Sequence, residues 1–581
     1  MTKHYTDEKN AQIIIALLKE HGVRKVIASP GTTNMALVAS MQDDSYFEMY
    51  SSVDERSAAY MACGLSAESG EPVVISCTGA TASRNYLPGL TEAYYRKLPI
   101  LAITSMPAAS KVGHHIAQII DRSSMPKDVA KLSVELPIVK DEDDFWNCEI
   151  KVNRAILELS RHGGGPVHIN LPTTYSKSYE VKELPKVRVI NRITSTSQFP
   201  LLPKGKIAVF IGAHTMMSKI QTEAVDNFCA SNNAVVFCDH TSNYKGNYRV
   251  LFSLVAGQQM FNHAEFRPEV LIHIGEITGD YYSLGMVGKQ VWRISEDGEI
   301  RDTFRKLRYV FEMPEYTFFE YYAQHGLNKG SNSYFQMCKN QLAGLYSKIP
   351  DLPFSNIWVA SKMAHRIPEG STIHFGILNS LRSWNFFELS TTVTSASNVG
   401  GFGIDGSMSA LLGASLANPN KLYFLVLGDL SFFYDMNSLG NRHVGGNIRI
   451  LLVNNGKGTE FRQFNHFAAQ LGDTADEFIA ASGHFGNKST VLVKSYTEAL
   501  GFDYLTASDK QGFSEVFEQF LKVSIDDKPM LFEVFTNSTD ESDALEEILG
   551  TEKSLKSFAK QMGKNMLGEK GKNTLKKLLG K

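Results

Sequence analysis

The sequence predicts an α/β protein whose sheets are mostly parallel and flanked by helices. Three observations carry that prediction. Short, unbroken apolar runs bounded by turn signals recur along the chain, as buried parallel strands require. Segments long enough for a crossover helix separate them. Polar residues able to do chemistry stand at the carboxyl ends of the runs, where open α/β sheets bind ligands.

In chain order, residues 11–20 have helical apolar spacing and lead to a strand at 26–28 that ends in the turn Ser29-Pro30-Gly31. Glu55 opens the next helix, within Asp54-Glu55-Arg56-Ser57-Ala58. Residues 73–77 form a further buried run and pass into Thr78-Gly79-Ala80-Thr81-Ala82, where small residues let a backbone approach a ligand closely. A strand at 98–103 follows. Runs at 206–212, 234–238, 270–275 and 291–294 alternate with helical segments and read as a Rossmann-like layer.

A glycine-rich loop from Asn398 to Gly406 precedes two more runs, at 422–427 and 448–453. The match to Gly-X-Gly-X-X-Gly in that loop opens no clean strand-helix unit, so it is no dinucleotide fingerprint. The first run delivers Gly428-Asp429-Leu430-Ser431, and the second delivers Asn454-Asn455-Gly456. Residues 432–444 supply the crossover helix between them. A carboxylate and an amide oxygen at adjacent strand ends are hard ligands suited to Mg2+. Domain boundaries fall near Pro185, Pro353 and residue 545. The expected domains are 1–185, 186–352 and 353–545, with a tail at 546–581.

The order of these motifs resembles that of thiamine-diphosphate enzymes, in which Gly-Asp-X and a later Asn-Asn anchor the diphosphate. The resemblance implies three domains: pyrimidine-binding, central and diphosphate-binding. It implies thiamine diphosphate and Mg2+ as cofactors, with Asp429, Asn455 and the carbonyl of Lys457 on the metal. Pro30, Gly31, Thr78, Gly79, Gly403, Ile404, Gly428, Leu430 and Ser431 join them around the cofactor. Ile404 is the bulky support beneath the bend between its two rings. Glu55 hydrogen-bonds N1′ of the aminopyrimidine and so favours loss of the thiazolium C2 proton. His114 and His115, with Gln118 nearby, resemble the paired histidines that handle protons in related decarboxylases. The alternative for the pair is two exposed loop histidines. In this family the pyrimidine domain of one subunit faces the diphosphate domain of another, which implies a homodimer or tetramer. Some relatives hold flavin in the central domain, and nothing in this chain requires it.

Within the family, Leu430 together with Tyr434-Asp435-Met436-Asn437-Ser438-Leu439 resembles the menaquinone-pathway branch, which joins 2-oxoglutarate to isochorismate. The substrate positions depart from that branch. Thr32 and Thr33 stand where it has Ser-Arg, and Thr104-Ser105-Met106-Pro107 lacks its arginine. Asp280 and Tyr281 replace a Lys-Arg pair, and Val399 replaces another arginine. Arg382, in Asn379-Ser380-Leu381-Arg382, is the one guanidinium retained to bind a carboxylate. Threonine, methionine and valine cannot imitate that planar fork. The expected function is therefore decarboxylation of a 2-oxo acid with transfer to an electrophilic acceptor. Simple decarboxylation, the menaquinone synthase itself and an inactive scaffold are the alternatives.

Composition agrees. The chain has 581 residues, 59 basic and 61 acidic, and six cysteines without a Cys-X-X-Cys pair. That argues against a zinc site or a disulfide framework. With no signal peptide and no membrane-spanning run, the expected location is cytoplasmic, with peripheral attachment at the inner membrane surface as an option. Residues 552–581 carry nine lysines and two glutamates. Their spacing suits a basic amphipathic helix on an anionic membrane surface or a partner protein. A solvated terminal helix or a disordered end is the alternative. Arginine and aromatic residues are nearly absent from the tail, which argues against nucleic acid.

Overall fold

The computed structural model describes residues 4–326, 330–483 and 489–552. It forms two compact units, Met1–Gln198 with Asp297–Glu312, and Phe199–Glu296 with Met313–Lys581. This division departs from the expected boundaries, because residues 186–198 and 297–312 of the expected central domain group with the first unit.

The first unit holds a parallel six-stranded sheet, β1 (Lys25–Ala28), β2 (Glu48–Ser51), β3 (Val73–Cys77), β4 (Ile100–Pro107), β5 (Leu132–Glu135) and β6 (Val167–Thr173). Its order is β2-β1-β3-β4-β6-β5. Every residue of β3, β4 and β6 is buried, because helices cover both faces. The helix Lys9–Glu20 packs Ile13, Ile14, Leu17 and Leu18 into one core. Opposite, the helix Glu55–Ser69 contributes Ala58, Ala59 and Ala62 to a second core. Asp54 caps that helix by accepting from Ser57 N at 2.8 Å, and Gly70 ends it with φ 70°. The same unit contains a parallel pair, β7 (Asn191–Thr194) and β13 (Leu307–Glu312).

In the second unit, β8 (Ile207–Ile211), β9 (Ala234–Cys238), β10 (Arg249–Val250), β11 (Val270–Ile274) and β12 (Gln290–Ile294) run in the order β10-β9-β8-β11-β12, all parallel. A second parallel sheet comprises β14 (Thr372–Phe375), β15 (Thr394–Ser397), β16 (Tyr423–Gly428), β17 (Ile448–Asn454), β18 (Asp503–Ala507) and β19 (Met530–Phe535). Its order, β15-β14-β16-β17-β19-β18, places β16 and β17 side by side at its centre. The crossover between them is shorter than expected and starts earlier. A helix spans Asp429–Asp435, and a 3-10 turn at Met436–Gly440 follows. Ser438 helps end the helix, because its hydroxyl donates back to Asp435 O at 2.8 Å.

All six cysteines are free and buried. Among the described residues, no helix is long and apolar enough to cross a membrane. The expected amphipathic tail helix, from 553 onward, lies outside the described residues.

One buried acid ties two helices of the second unit together. Glu541, 3% exposed, accepts from Asn356 N at 3.0 Å and from Thr536 Oγ1 at 2.7 Å. Burial pushes its carboxyl from 4.5 up to about 7. Well below pH 4.5 the group is protonated in both states. As pH climbs toward 7 the unfolded chain ionises and the folded one resists, so stability falls over that window. Glu541→Gln keeps the accepting oxygen and removes the titration. Melting curves should show wild type losing stability relative to Glu541→Gln between pH 4.5 and 7, by on the order of 3 kcal/mol. Parallel curves for the two proteins would refute this.

Candidate cofactor and active site

The central pair of strands in the second unit delivers its polar residues to one edge. Asp429 is the first residue of the helix after β16 and is only 2% exposed. Burial pushes its carboxyl up to about 7, although main-chain donors, among them Gly456 N at 3.1 Å from Oδ2, oppose the shift. At the end of β17 the two asparagines separate in role. Asn454 turns its amide to Glu533 Oε1 at 2.7 Å, while Asn455 Oδ1 is buried with no hydrogen-bond partner among the described residues. Lys457 sends its ammonium to Asp476 at 2.6 Å, away from its own carbonyl, which accepts from Thr459 N at 2.9 Å. A carboxylate, an amide oxygen and a peptide carbonyl fit a small hard cation completed by phosphate and water oxygens. Among the described residues, no three His, Cys, Asp or Glu side chains gather as a metal cluster.

The glycine-rich loop is bound to this edge. Ser431 Oγ donates to Ile404 O, so the half-buried Ile404 is held to the helix that begins at Asp429. Asp435, at the end of that helix, accepts from Ser409 N at 2.7 Å and Ser409 Oγ at 2.6 Å. Gly403 lies in the same loop, and Gly406 takes φ 79° where the following helix starts. Leu430 rests close over Gly458, where an added Cβ would lie 3.3 Å from its Cδ1.

In the first unit, the ends of β1 and β3 meet. A Cβ on Gly31 would fall 2.7 Å from Thr78 Cβ, so glycine is what lets the Pro30-Gly31 turn approach the Thr78-Gly79 loop. Thr33 is buried and bonds Thr78 Oγ1 at 2.5 Å and Ser105 O at 2.8 Å, whereas Thr32 is exposed. Glu55 stands half-exposed in the first turn of its helix and accepts from Asn85 Nδ2 at 3.3 Å. The helix terminus favours a negative charge there. His114, His115 and Gln118 are exposed on the loop after β4, with φ 54° at His115 and 65° at Gln118.

The positions expected to meet substrate show a different arrangement. Arg382, anticipated as a carboxylate anchor, has its fork filled by Glu460, at 2.9 Å and 3.0 Å. Asn379 hydrogen-bonds the same glutamate, and Ser380 is buried. Met106 and Val399 are buried apolar residues. Asp280, which stands where the related branch has a cation, is 3% exposed and accepts from Tyr282 N at 3.0 Å and Ser283 N at 3.2 Å. Its Oδ1 holds its own turn. Sequence reasoning missed Glu460 and Arg122. Glu460 is 78 residues from its partner, and no local pattern signals so distant a pairing. Arg122 is a lone cation in a polar stretch, but it is buried in the first unit.

Comparison with known proteins agrees with this geometry. Residues 8–125 match the thiamine pyrophosphate enzyme, N-terminal TPP binding domain. The chain is 32% identical over 564 residues to a 2-succinyl-5-enolpyruvyl-6-hydroxy-3-cyclohexene-1-carboxylate synthase of Phocaeicola vulgatus, covering 94% of this chain and 98% of that protein. It is 31% identical over 563 residues to the synthase of the same name from Bacteroides fragilis, covering 94% and 99%. A Flavobacterium johnsoniae protein of that name is 28% identical over 561 residues, covering 92% and 97%. With matching motifs at both sheet edges and end-to-end similarity, the chain belongs to the thiamine-diphosphate-dependent enzymes, in the family of these synthases.

Proposed function

We propose that this enzyme uses thiamine diphosphate with Mg2+ to decarboxylate a 2-oxo acid and transfer the remaining acyl unit to an electrophilic acceptor. The observation that carries the reading is the pair Asp429 and Asn455 at adjacent strand ends, one a buried carboxylate and the other a buried oxygen without a partner among the described residues. Asp429, Asn455 and the carbonyl of Lys457 would hold the metal, and Ile404 would support the bend of the cofactor. Bound thiamine diphosphate supplies a carbon nucleophile and an electron sink. Glu55 would share a proton with N1′ of the pyrimidine, which is how a side chain at that place activates C2. In the thiamine-diphosphate enzymes the pyrimidine half of one subunit faces the diphosphate half of another, so a homodimer is the working unit in this reading.

The relatives' name favours 2-oxoglutarate and isochorismate as a second reading. The local chemistry favours another acceptor. Thr33 is engaged inward, Met106 and Val399 are apolar, and the fork of Arg382 is occupied by Glu460. These positions supply no guanidinium to a polycarboxylate, so in this reading the acceptor is an aldehyde, a ketone or a proton. Carboligation and simple decarboxylation are separated by screening 2-oxo acids for released carbon dioxide and coupled products.

Calorimetry should find thiamine diphosphate bound tightly only with a divalent metal, because the diphosphate would otherwise face Asp429 uncompensated. Asp429→Ala should stay folded and bind it poorly. Equal affinity with and without magnesium would sink the metal role. Glu55→Gln should keep cofactor affinity but slow deuterium exchange at C2 by about two to four powers of ten. A near-wild-type exchange rate would remove Glu55 from the activating role. Assayed with 2-oxoglutarate and isochorismate, the enzyme should give little or no product. Efficient turnover would restore the second reading.

A further inference from the structure

Arg122 is a fully buried guanidinium, 2% exposed, with a single neutral partner. Its Nη2 donates to Asn170 Oδ1 at 2.8 Å. Nε and Nη1 find no acceptor among the described residues. Glu135 is one amide further away, accepting from Asn170 Nδ2 at 3.3 Å. The other fully buried arginines each reach main-chain carbonyls. Arg293 donates to Gly275 O at 3.0 Å, and Arg449 donates to Gly446 O at 2.6 Å and Ser524 O at 3.2 Å.

Burial lowers the Arg122 pKa to about 10, so the group is still a cation at neutral pH. A buried charge facing only neutral groups is expensive, and an apolar side chain of similar length would serve packing better. The position of the guanidinium suggests what offsets that cost. It lies against the loop of the pyrimidine half-site, where a Cβ on Gly79 would sit 3.5 Å from Nη1 and 3.2 Å from Ser105 O. Glycine lets the loop lie this close to the guanidinium. Ser105 Oγ, also buried, has no partner among the described residues. The unpartnered Nε and Nη1 are donors suited to a carboxylate.

We propose that Arg122 is the residue that binds the carboxylate of the 2-oxo acid donor, with Ser105 as a second donor to the same anion. The inference rests on the reading of the reaction given above and names the anchor that Arg382 cannot supply while Glu460 occupies it. Arg122 is a binding residue here, and it recognises the group common to all 2-oxo acids rather than a particular side chain.

The test uses the enzyme loaded with thiamine diphosphate and magnesium, and pyruvate as the probe, with methyl pyruvate as its uncharged counterpart. Arg122→Met should weaken pyruvate binding by about 30-fold or more, the scale of a lost charge-assisted hydrogen bond, and should leave methyl pyruvate unchanged. Arg122→Lys, which keeps the charge, should recover part of the loss. Thiamine diphosphate affinity and melting temperature in the lysine variant should match wild type, which a purely structural role would not allow. Pyruvate binding that is indifferent to Arg122→Met, or absent from the wild type, overturns the proposal. So does a parallel loss of pyruvate and methyl pyruvate. Arg122-dependent binding without release of carbon dioxide from any 2-oxo acid would leave the anchor standing and refute the reaction instead.

Discussion

The second unit is organised around a carboxylate that the fold keeps out of water. Asp429 sits where a wholly apolar strand stops, and its helix begins on the same residue. Burying that group is unfavourable unless positive charge arrives to meet it. The neighbouring structure prepares for that arrival. Gly456 N already donates to one oxygen, Asn454 is drawn off to Glu533, and Asn455 is left with an oxygen to offer. Ser431 then fixes Ile404 to the same helix, which joins the residue proposed to support the cofactor to the one proposed to hold the metal. The centre of the sheet, strands β16 and β17, is buried along its length because its ends must be placed accurately.

The first unit solves a different problem, which is bringing two loops into contact without blocking the space between them and a ligand. Gly31 permits the approach to Thr78, and Thr33 ties that junction to Ser105. Threonine at 33 therefore serves the scaffold, and the position is no longer available to a cation. Gly79 lets its loop lie close against Arg122. A cation is thus absent at position 33 and buried at position 122.

Much of this was legible in the sequence, and the reasons are physical. Buried parallel strands appear as continuous apolar runs, so β1, β3, β16 and β17 were readable to within a residue or two. The start of the helix at Glu55 was readable because Asp54 is a good cap. The placement of Asp429 and Asn455 at strand ends was readable for the same reason. Side-chain partnership was not. Arg382 and Asp280 look like free charges in a sequence, yet one is paired across 78 residues and the other holds its own turn. Arg122 looks like a solvated residue, since its immediate neighbours Asp121, Ser123 and Ser124 are polar. The grouping of residues 297–312 with the first unit also has no local signal, because it depends on a strand pairing with β7 more than a hundred residues earlier.

The pairing of Arg382 with Glu460 bears on how specificity is set. A guanidinium already bound in two places by a carboxylate offers a second one little, and the pair excludes an acidic substrate group as effectively as losing the arginine would. Asn379 reinforces the glutamate, and the Tyr281 ring lies 5.8 Å from the guanidinium carbon, so the cluster is closed by an aromatic face. Tyr281 in turn approaches Phe402 of the glycine-rich loop, with ring centroids 6.0 Å apart. The result is a wall of aromatic and neutralised groups next to the loop that carries Ile404. Recognition by such a wall would favour shape and apolar contact over charge. The substrate positions are therefore tied to the positions placed around the cofactor, since Thr33 bonds Thr78 and Tyr281 packs on the loop that carries Ile404.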